Sequence, residues 1–452
     1  MWFLGIDIGT THVKAVGVTS SGQILPAARC RTPVRTHQGL PVHMAEEVWE
    51  QAVGLITRYA SGPAAPHGRL GGLSVATFGQ EESVAVDAAG REIHPSLAWW
   101  EDGDTEALGP GVAEWFDSPE HYAVSGMRYR PNQTPGRIAR LRTLDPATWR
   151  SVSRWVDFGS YAMWRLTGRW AAAASQITHS QLFDLADLTP HQPSLDALEV
   201  GAELFPEALL TGHPVGEIRA DVLGVPLAPG AGVYVGGHDQ MVAARAVALD
   251  TATGSSAAPQ VFDSIGTSEY LMVVSPARRP GRLAYERGLD HERAWGTDDY
   301  LLWRAIPSGK VIQLLAELFF DGDFDRLFAC LPEPRRAVPS LRAVISPLTD
   351  TGQGLLSLDG IPAGATPADI VHCCLDTVAR QVTAGLTEMC AFVGTRPSSV
   401  ALLGSLFRRP ELVQHRQDRS EVPLLVSTLD EPVATGAAQL AREGSLATKE
   451  QR

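Results

Sequence analysis

The chain has few cysteines, no long apolar run and no excess of positive charge. Only five of its 452 residues are cysteine. Cys373 and Cys374 are adjacent and no C-x-x-C pair occurs, which excludes a disulfide framework or a zinc ribbon and reads as a reduced, cytoplasmic protein. No apolar stretch approaches the roughly 18 residues of a membrane span. The N-terminus lacks the basic-then-apolar pattern of a signal peptide. Lys and Arg number 38 against 51 Asp and Glu, a net charge of −13, so nucleic acid and anionic membranes are poor partners. Familiar nucleotide motifs are missing too. No G-x-G-x-x-G follows a strand. Gly309-Lys310 imitates the end of a Walker A loop, but Arg304 stands where its first glycine belongs and Val311 where Ser or Thr belongs.

What is present is an ordinary globular composition, 44% hydrophobic and 20% charged. The length suits two large α/β domains. Residues 2–8 form an apolar run that stops at Gly9-Thr10-Thr11, and a second run, Val13 to Val18, follows at once. This predicts a hairpin meander. Val48, Trp49, Ala52, Leu55, Ile56 and Tyr59 predict a helix over 46–60, and residues 70–76 and 83–87 predict strands. The stretch 202–229 reads as irregular connection, 232–236 as a strand and 240–249 as a helix. Residues 368–393 carry one apolar helical stripe. The tail after Gly444 is polar and is expected to fray.

One internal echo organises the chain. Ile6-Asp7-Ile8-Gly9-Thr10-Thr11 and Ser264-Ile265-Gly266-Thr267-Ser268 are both strand, Gly-Thr-hydroxyl turn, strand, more than half the chain apart. The simplest account is two similarly folded domains that each present the same turn. Such turns offer backbone N–H groups and hydroxyls to an anion. A carboxylate beside phosphate requires a cation between them, so Asp7 at the end of the first strand implies Mg²⁺. Gly236-Gly237-His238-Asp239 follows a strand and opens a helix. Asp239 suits either a helix N-cap or a general base for an attacking hydroxyl. His238 is read as packing or local hydrogen bonding.

Taken in order, Asp7 to Lys14, Gly79-Gln80, Trp100-Glu101-Asp102, Gly236 to Asp239, Ile265 to Ser268 and Glu431 to Ala438 resemble the motifs of the FGGY carbohydrate kinases. The resemblance implies an α/β fold of two actin-like (ribonuclease H-like) domains flanking a central cleft. It implies an N-terminal sugar-binding domain over 1–240 and a C-terminal ATP-binding domain over 241–452. ATP and Mg²⁺ are the implied cofactors, and Asp239 is the implied base. Gly9, Thr10, Thr11 and Lys14 would attend the transferred phosphate. Gly266, Thr267 and Ser268 would hold the phosphates from the other domain, while Gly404 and Ser405 would line the adenosine pocket. Gln80, Glu81, Trp100, Asp102 and Asp239 would meet the sugar, and Asp7 the metal.

Three departures from the family pattern stand out. Glu81 and Glu82 follow Gln80, Asp104 replaces an arginine, and the adenosine motif reads Leu403-Gly404-Ser405-Leu406. A pocket rich in carboxylates repels an acidic substrate, so a neutral ketose, a pentulose foremost, or a polyol is expected. A noncatalytic nucleotide or sugar sensor is the alternative, and retention of Asp239 favours the enzyme. Partners are expected to be small molecules, with a homodimer left open.

Overall fold

The computed structural model of the chain describes residues 1–62, 67–79, 81–101, 105–251, 260–266, 268–296, 298–332, 336, 338–346 and 355–450. It opens with β1 (Trp2–Ile8), β2 (His12–Thr19), β3 (Ala28–Arg31), α1 (Ala45–Ser61) and β4 (Leu70–Thr77). Next come α2 (Phe158–Thr167), α3 (Ala174–His179), β5 (Pro214–Glu217), β6 (Leu227–His238) and α4 (Asp239–Thr251). The remainder includes β7 (Val261–Ile265), β8 (Glu269–Ser275), β9 (Asp290–Arg293), β10 (Tyr300–Ile306) and α5 (Pro367–Val393). It closes with β11 (Val400–Leu403), β12 (Leu424–Val426) and α6 (Pro432–Glu450).

Two compact units result. Unit 1 joins Met1–Ala246, Pro276–Tyr300 and Leu429–Arg452; unit 2 joins Val247–Ser275 and Leu301–Thr428. Two segments later than residue 240, Pro276–Tyr300 and Leu429–Arg452, return to unit 1.

In unit 1 the strand order is β5-β6-β4-β1-β2-β3. β1 is antiparallel to β2 and parallel to β4, which is parallel to β6. Side chains of a strand alternate between faces. Trp2, Leu4, Ile6 and Ile8 thus point to one face, where they join a core with Val48, Trp49, Leu55 and Ile56 of α1 and Phe158 and Tyr161 of α2. Phe3, Gly5 and Asp7 point to the other face. There Ala434, Ala437, Ala438 and Ala441 of α6 are fully buried. Gly5 is required at this crossing: a Cβ on it would stand 1.9 Å from the Ala434 carbonyl oxygen. This close fit overturns the expectation of a frayed tail, since α6 continues to Glu450 and Ser445 within it is buried.

In unit 2 the order β10-β8-β7-β11-β12 repeats the arrangement β3-β2-β1-β4-β6. A hairpin, β7 with β8, leads into parallel neighbours β11 and β12. The sequence echo is therefore a repeat of topology. The long helix α5 opens on a capping box, Thr366 with Asp369, and closes at Gly394 in the left-handed region. Val371, Leu375, Val378, Val382, Met389 and Val393 are buried as the stripe predicts, and Leu386 is half-buried. The stretch 202–229 is more ordered than expected: Glu207–Leu209 and β5 are short strands, and β6 begins at Leu227. No helix among the described residues is long and apolar enough to cross a membrane.

Candidate active site

Asp7 ends β1 on the face that α6 covers, and its cross-strand partner in the register is Lys14. The Lys14 ammonium lies 3.2 Å from Asp7 and 3.0 Å from Glu431, which immediately precedes α6. The two carboxylates raise the Lys14 pKa against the opposing effect of burial. Lys14 is thus committed to two ion pairs, and at most its third N–H is left for a phosphate. Burial pushes Asp7 up to about 6, with Lys14 pulling down and Asp239 adding to the rise. Its Oδ1 is buried and accepts no hydrogen bond among the described residues. A buried carboxylate oxygen without a donor fits a cation or a cation-bound water, so Asp7 suits Mg²⁺.

The Gly9 turn is closed more tightly than expected. The Gly9 N–H donates to the His12 carbonyl, and the Thr32 hydroxyl donates to the Gly9 carbonyl. The Gly9 amide is consumed by the hairpin, which leaves Thr10 and Thr11 to present donors. Gly266 repeats this, its N–H donating to the Ser268 carbonyl.

Asp239 stands at the junction of β6 and α4. Gly236 is needed just before it, because a Cβ there would sit 2.0 Å from the Val75 carbonyl oxygen on β4. Gly237 has φ +143° and a Cβ on it would press on the Ser175 hydroxyl, which accepts the His238 N–H. Burial raises the Asp239 pKa, while His238, a hydrogen bond from the Gln240 N–H and Lys14 lower it. A base with a pKa lifted toward neutrality accepts a hydroxyl proton more effectively than an ordinary carboxylate.

His238, read as packing or local hydrogen bonding, makes a hydrogen bond to a residue far along the chain. Its Nδ1 lies 2.9 Å from Glu292 Oε2 and its Nε2 lies 3.4 Å from Asp239 Oδ1. The same Glu292 oxygen is 2.6 Å from His179 Nε2, and His179 Nδ1 is 3.9 Å from Glu81. Burial opposes the charge on Glu292, His238, His179 and Glu81, and for each of these four the neighbouring charges outweigh it. Glu292 raises His238, Glu292 and Glu81 raise His179, and His179 brings Glu81 down to about 2. His179 and Glu292 escaped the sequence analysis. The available signal was β9 itself, Asp290-His-Glu-Arg293, four consecutive ionisable residues that are all buried.

Glu82 forms a second buried pair, 2.6 Å from His43, and also accepts the Trp99 N–H. Trp100 is exposed, with its ring edge-on to His43. Arg137 ties the local backbone together by donating to the carbonyls of Glu81, Ala98 and Glu101. Gln80, Asp102 and Asp104 lie outside the described residues, as does Thr267. Of the carboxylates expected to crowd the sugar site, Glu81 and Asp239 each face a histidine.

In unit 2 the expected phosphate and adenosine motifs meet. Gly404 has φ +101°, and a Cβ on it would stand 2.1 Å from the Ile265 carbonyl oxygen. The Gly266 turn and Gly404-Ser405 thus occupy the carboxyl ends of two parallel neighbours, β7 and β11. That is where open α/β sheets bind ligands.

The family model for the N-terminal domain of FGGY carbohydrate kinases matches residues 2–245, and that for the C-terminal domain matches residues 263–442. The chain belongs to the FGGY family of carbohydrate kinases. The family's reaction is ATP-dependent phosphorylation of a sugar or polyol. An L-fuculokinase of Escherichia coli O157:H7 is 23% identical over 96% of this chain and 90% of its own. A xyloylose kinase from Brucella ovis superimposes with a TM-score of 0.84 at 19% identity, covering 99% of this chain and 91% of its own. A gluconate kinase from Lactobacillus acidophilus gives 0.83 at 15%, covering 99% and 89%. These FGGY likenesses support the two actin-like domains. The names span ketoses and a sugar acid, so they do not choose the substrate.

Proposed function

We propose that this kinase transfers the γ-phosphoryl group of ATP to a hydroxyl of a neutral ketose or polyol, a pentulose foremost, with Asp239 as general base. The observation that carries the reading is Asp239 itself: half-buried, lifted in pKa, and coupled electrostatically to Asp7 and Lys14 in one unit. Asp239 takes the proton as the hydroxyl oxygen attacks phosphorus, and Thr10 and Thr11 orient the transferred group. Asp7 would hold Mg²⁺, which neutralises phosphate charge when bound. Gly266, Thr267 and Ser268 would receive the phosphates and Gly404 and Ser405 the adenosine, which makes unit 2 the nucleotide unit and unit 1 the sugar unit.

The preference for a neutral substrate rests on charge matching. Lys14, His43, His179, His238 and Arg137 already face carboxylates or carbonyls. Four of these five already have a carboxylate counter-charge, which favours an uncharged substrate. Gln80, Glu81, Trp100 and Asp102 would contact the sugar. The five cysteines are free thiols, in keeping with a cytoplasmic location. The comparisons give the sensor alternative no support. The test is a coupled ADP-release assay over ketopentoses, ketohexoses, polyols and sugar acids. Turnover with a neutral ketose or polyol is expected; turnover confined to sugar acids overturns the substrate assignment, and none with any substrate overturns the kinase reading.

A further inference from the structure

The chain Glu81–His179–Glu292–His238–Asp239 alternates carboxylate and imidazole from end to end, with His179 and Glu292 buried and the other three half-buried. His179, His238 and Glu292 place their ligand atoms within 4.8 Å of one another, so a metal site is one reading of the cluster. The hydrogen bonds argue otherwise. Both imidazoles direct a nitrogen at the same oxygen, Glu292 Oε2, at 2.6 and 2.9 Å. Those separations are filled by shared protons. Three ligands of one tetrahedral ion would stand farther apart, about 3.3 Å for metal–ligand bonds near 2.0–2.1 Å.

The tautomer follows from this pairing. Each imidazole must donate to Glu292, so the Nδ1 of His238 carries a proton. Its Nε2 then faces Asp239 Oδ1. A neutral imidazole would present a lone pair to a carboxylate there, which is repulsive; an imidazolium presents N–H. We propose that Glu292, itself steadied by His179 and Glu81, holds His238 as an imidazolium that orients one oxygen of Asp239 and leaves the other for the substrate hydroxyl. Glu292 and His238 are thus positioning residues for the base, and His179 with Glu81 completes the charge balance. The proposal rests on the reading of Asp239 as the base.

The charged neighbours are accounted for on every side. Asp239 is influenced by His238, Lys14, Glu292 and Asp7; His238 by Glu292, His179 and Asp239; His179 by Glu292 and Glu81; Glu81 by His179 and His238. Removing the charge of Glu292 leaves His238 free to lose its proton. A neutral His238 no longer lowers the pKa of Asp239, which then moves up further.

Two measurements test this. The first is the pH profile of kcat for the whole enzyme and for Glu292→Gln and His238→Asn, with thermal melts alongside. The acid limb should move to higher pH by about 1 unit, kcat at pH 7 should fall roughly 10-fold, and the sugar KM should stay nearly constant. A limb that stays in place in a variant that melts normally overturns the proposal. The second is histidine ¹⁵N NMR on the unmodified protein, which needs neither turnover nor a variant. His179 and His238 should remain imidazolium at pH 7, and neutral His238 at that pH overturns the proposal. Imidazolium signals from a protein without kinase activity would sink the base reading of Asp239 and leave the charge chain standing.

Discussion

Replacing Asp7 by Asn should make the protein more stable at alkaline pH while disabling it. Burial lifts the Asp7 pKa from 3.8 to about 6. Because the folded-state value is raised, the folded state binds this proton more tightly than the unfolded chain does. The associated stability is fully present below the unfolded pKa and is lost as pH rises through the folded one. At 1.36 kcal/mol per unit, a shift of about 2 units means the ionised carboxylate costs the fold up to about 3 kcal/mol at pH 8. Asn has no proton to lose and avoids that cost. The Lys14 attraction is already contained in that shift, so the gain stays at up to about 3 kcal/mol, a few degrees at most in melting temperature for a unit of this size. The assay is calorimetry of both proteins in EDTA at pH 4 and pH 8. The variant should melt higher at pH 8, with the advantage shrinking toward pH 4. A variant that melts lower at pH 8, or by the same margin at both pH values, would refute the reasoning. A residue that destabilises its own fold is consistent with one kept for a bound cation.

The remaining expectations concern packing and charge. Gly5→Ala drives a methyl into the Ala434 carbonyl and should cost roughly 1–3 kcal/mol; an unchanged urea midpoint would contradict the close crossing of α6 over β1. Glu82→Gln leaves His43 without its buried counter-charge and should cost on the order of 3 kcal/mol. A melt within a degree of the parent would show that the pair is not ionised. EDTA should abolish ATP turnover and added Mg²⁺ restore it; turnover that survives chelation would remove the metal role from Asp7.

Much of this architecture was legible because local pattern carried it. The hairpin at Gly9, its echo at Gly266 and the Gly-Gly-His-Asp junction are short motifs whose chemistry is contained in adjacent residues. The stripe of α5 follows from helical periodicity alone. What escaped depends on distant partners. Glu292 reaches His179 and His238 across more than fifty residues of chain, and β9 is too polar to read as a buried strand. The ion pair of Lys14 with Glu431 escaped as well, because nothing nearby showed that Glu431 would arrive beside it. The polar composition after Gly444 concealed a helix whose alanine face matches the single glycine on β1 that admits it. The partners of Glu81 and Glu82 escaped for the same reason: His179 and His43 come from separate parts of the chain.

The central claim is that Asp239 accepts the substrate proton. Helix α4 begins at this residue, so a purely structural role at the helix N-terminus is the competing explanation. Asp239→Asn keeps the size and the capping capacity and removes the proton acceptor. Steady-state kinetics with the best neutral substrate, paired with a thermal melt, separate the two roles. The account predicts a loss in kcat of about 10²–10⁴-fold with normal folding and nearly unchanged sugar affinity. A variant that melts normally and phosphorylates at close to the parent rate would contradict it.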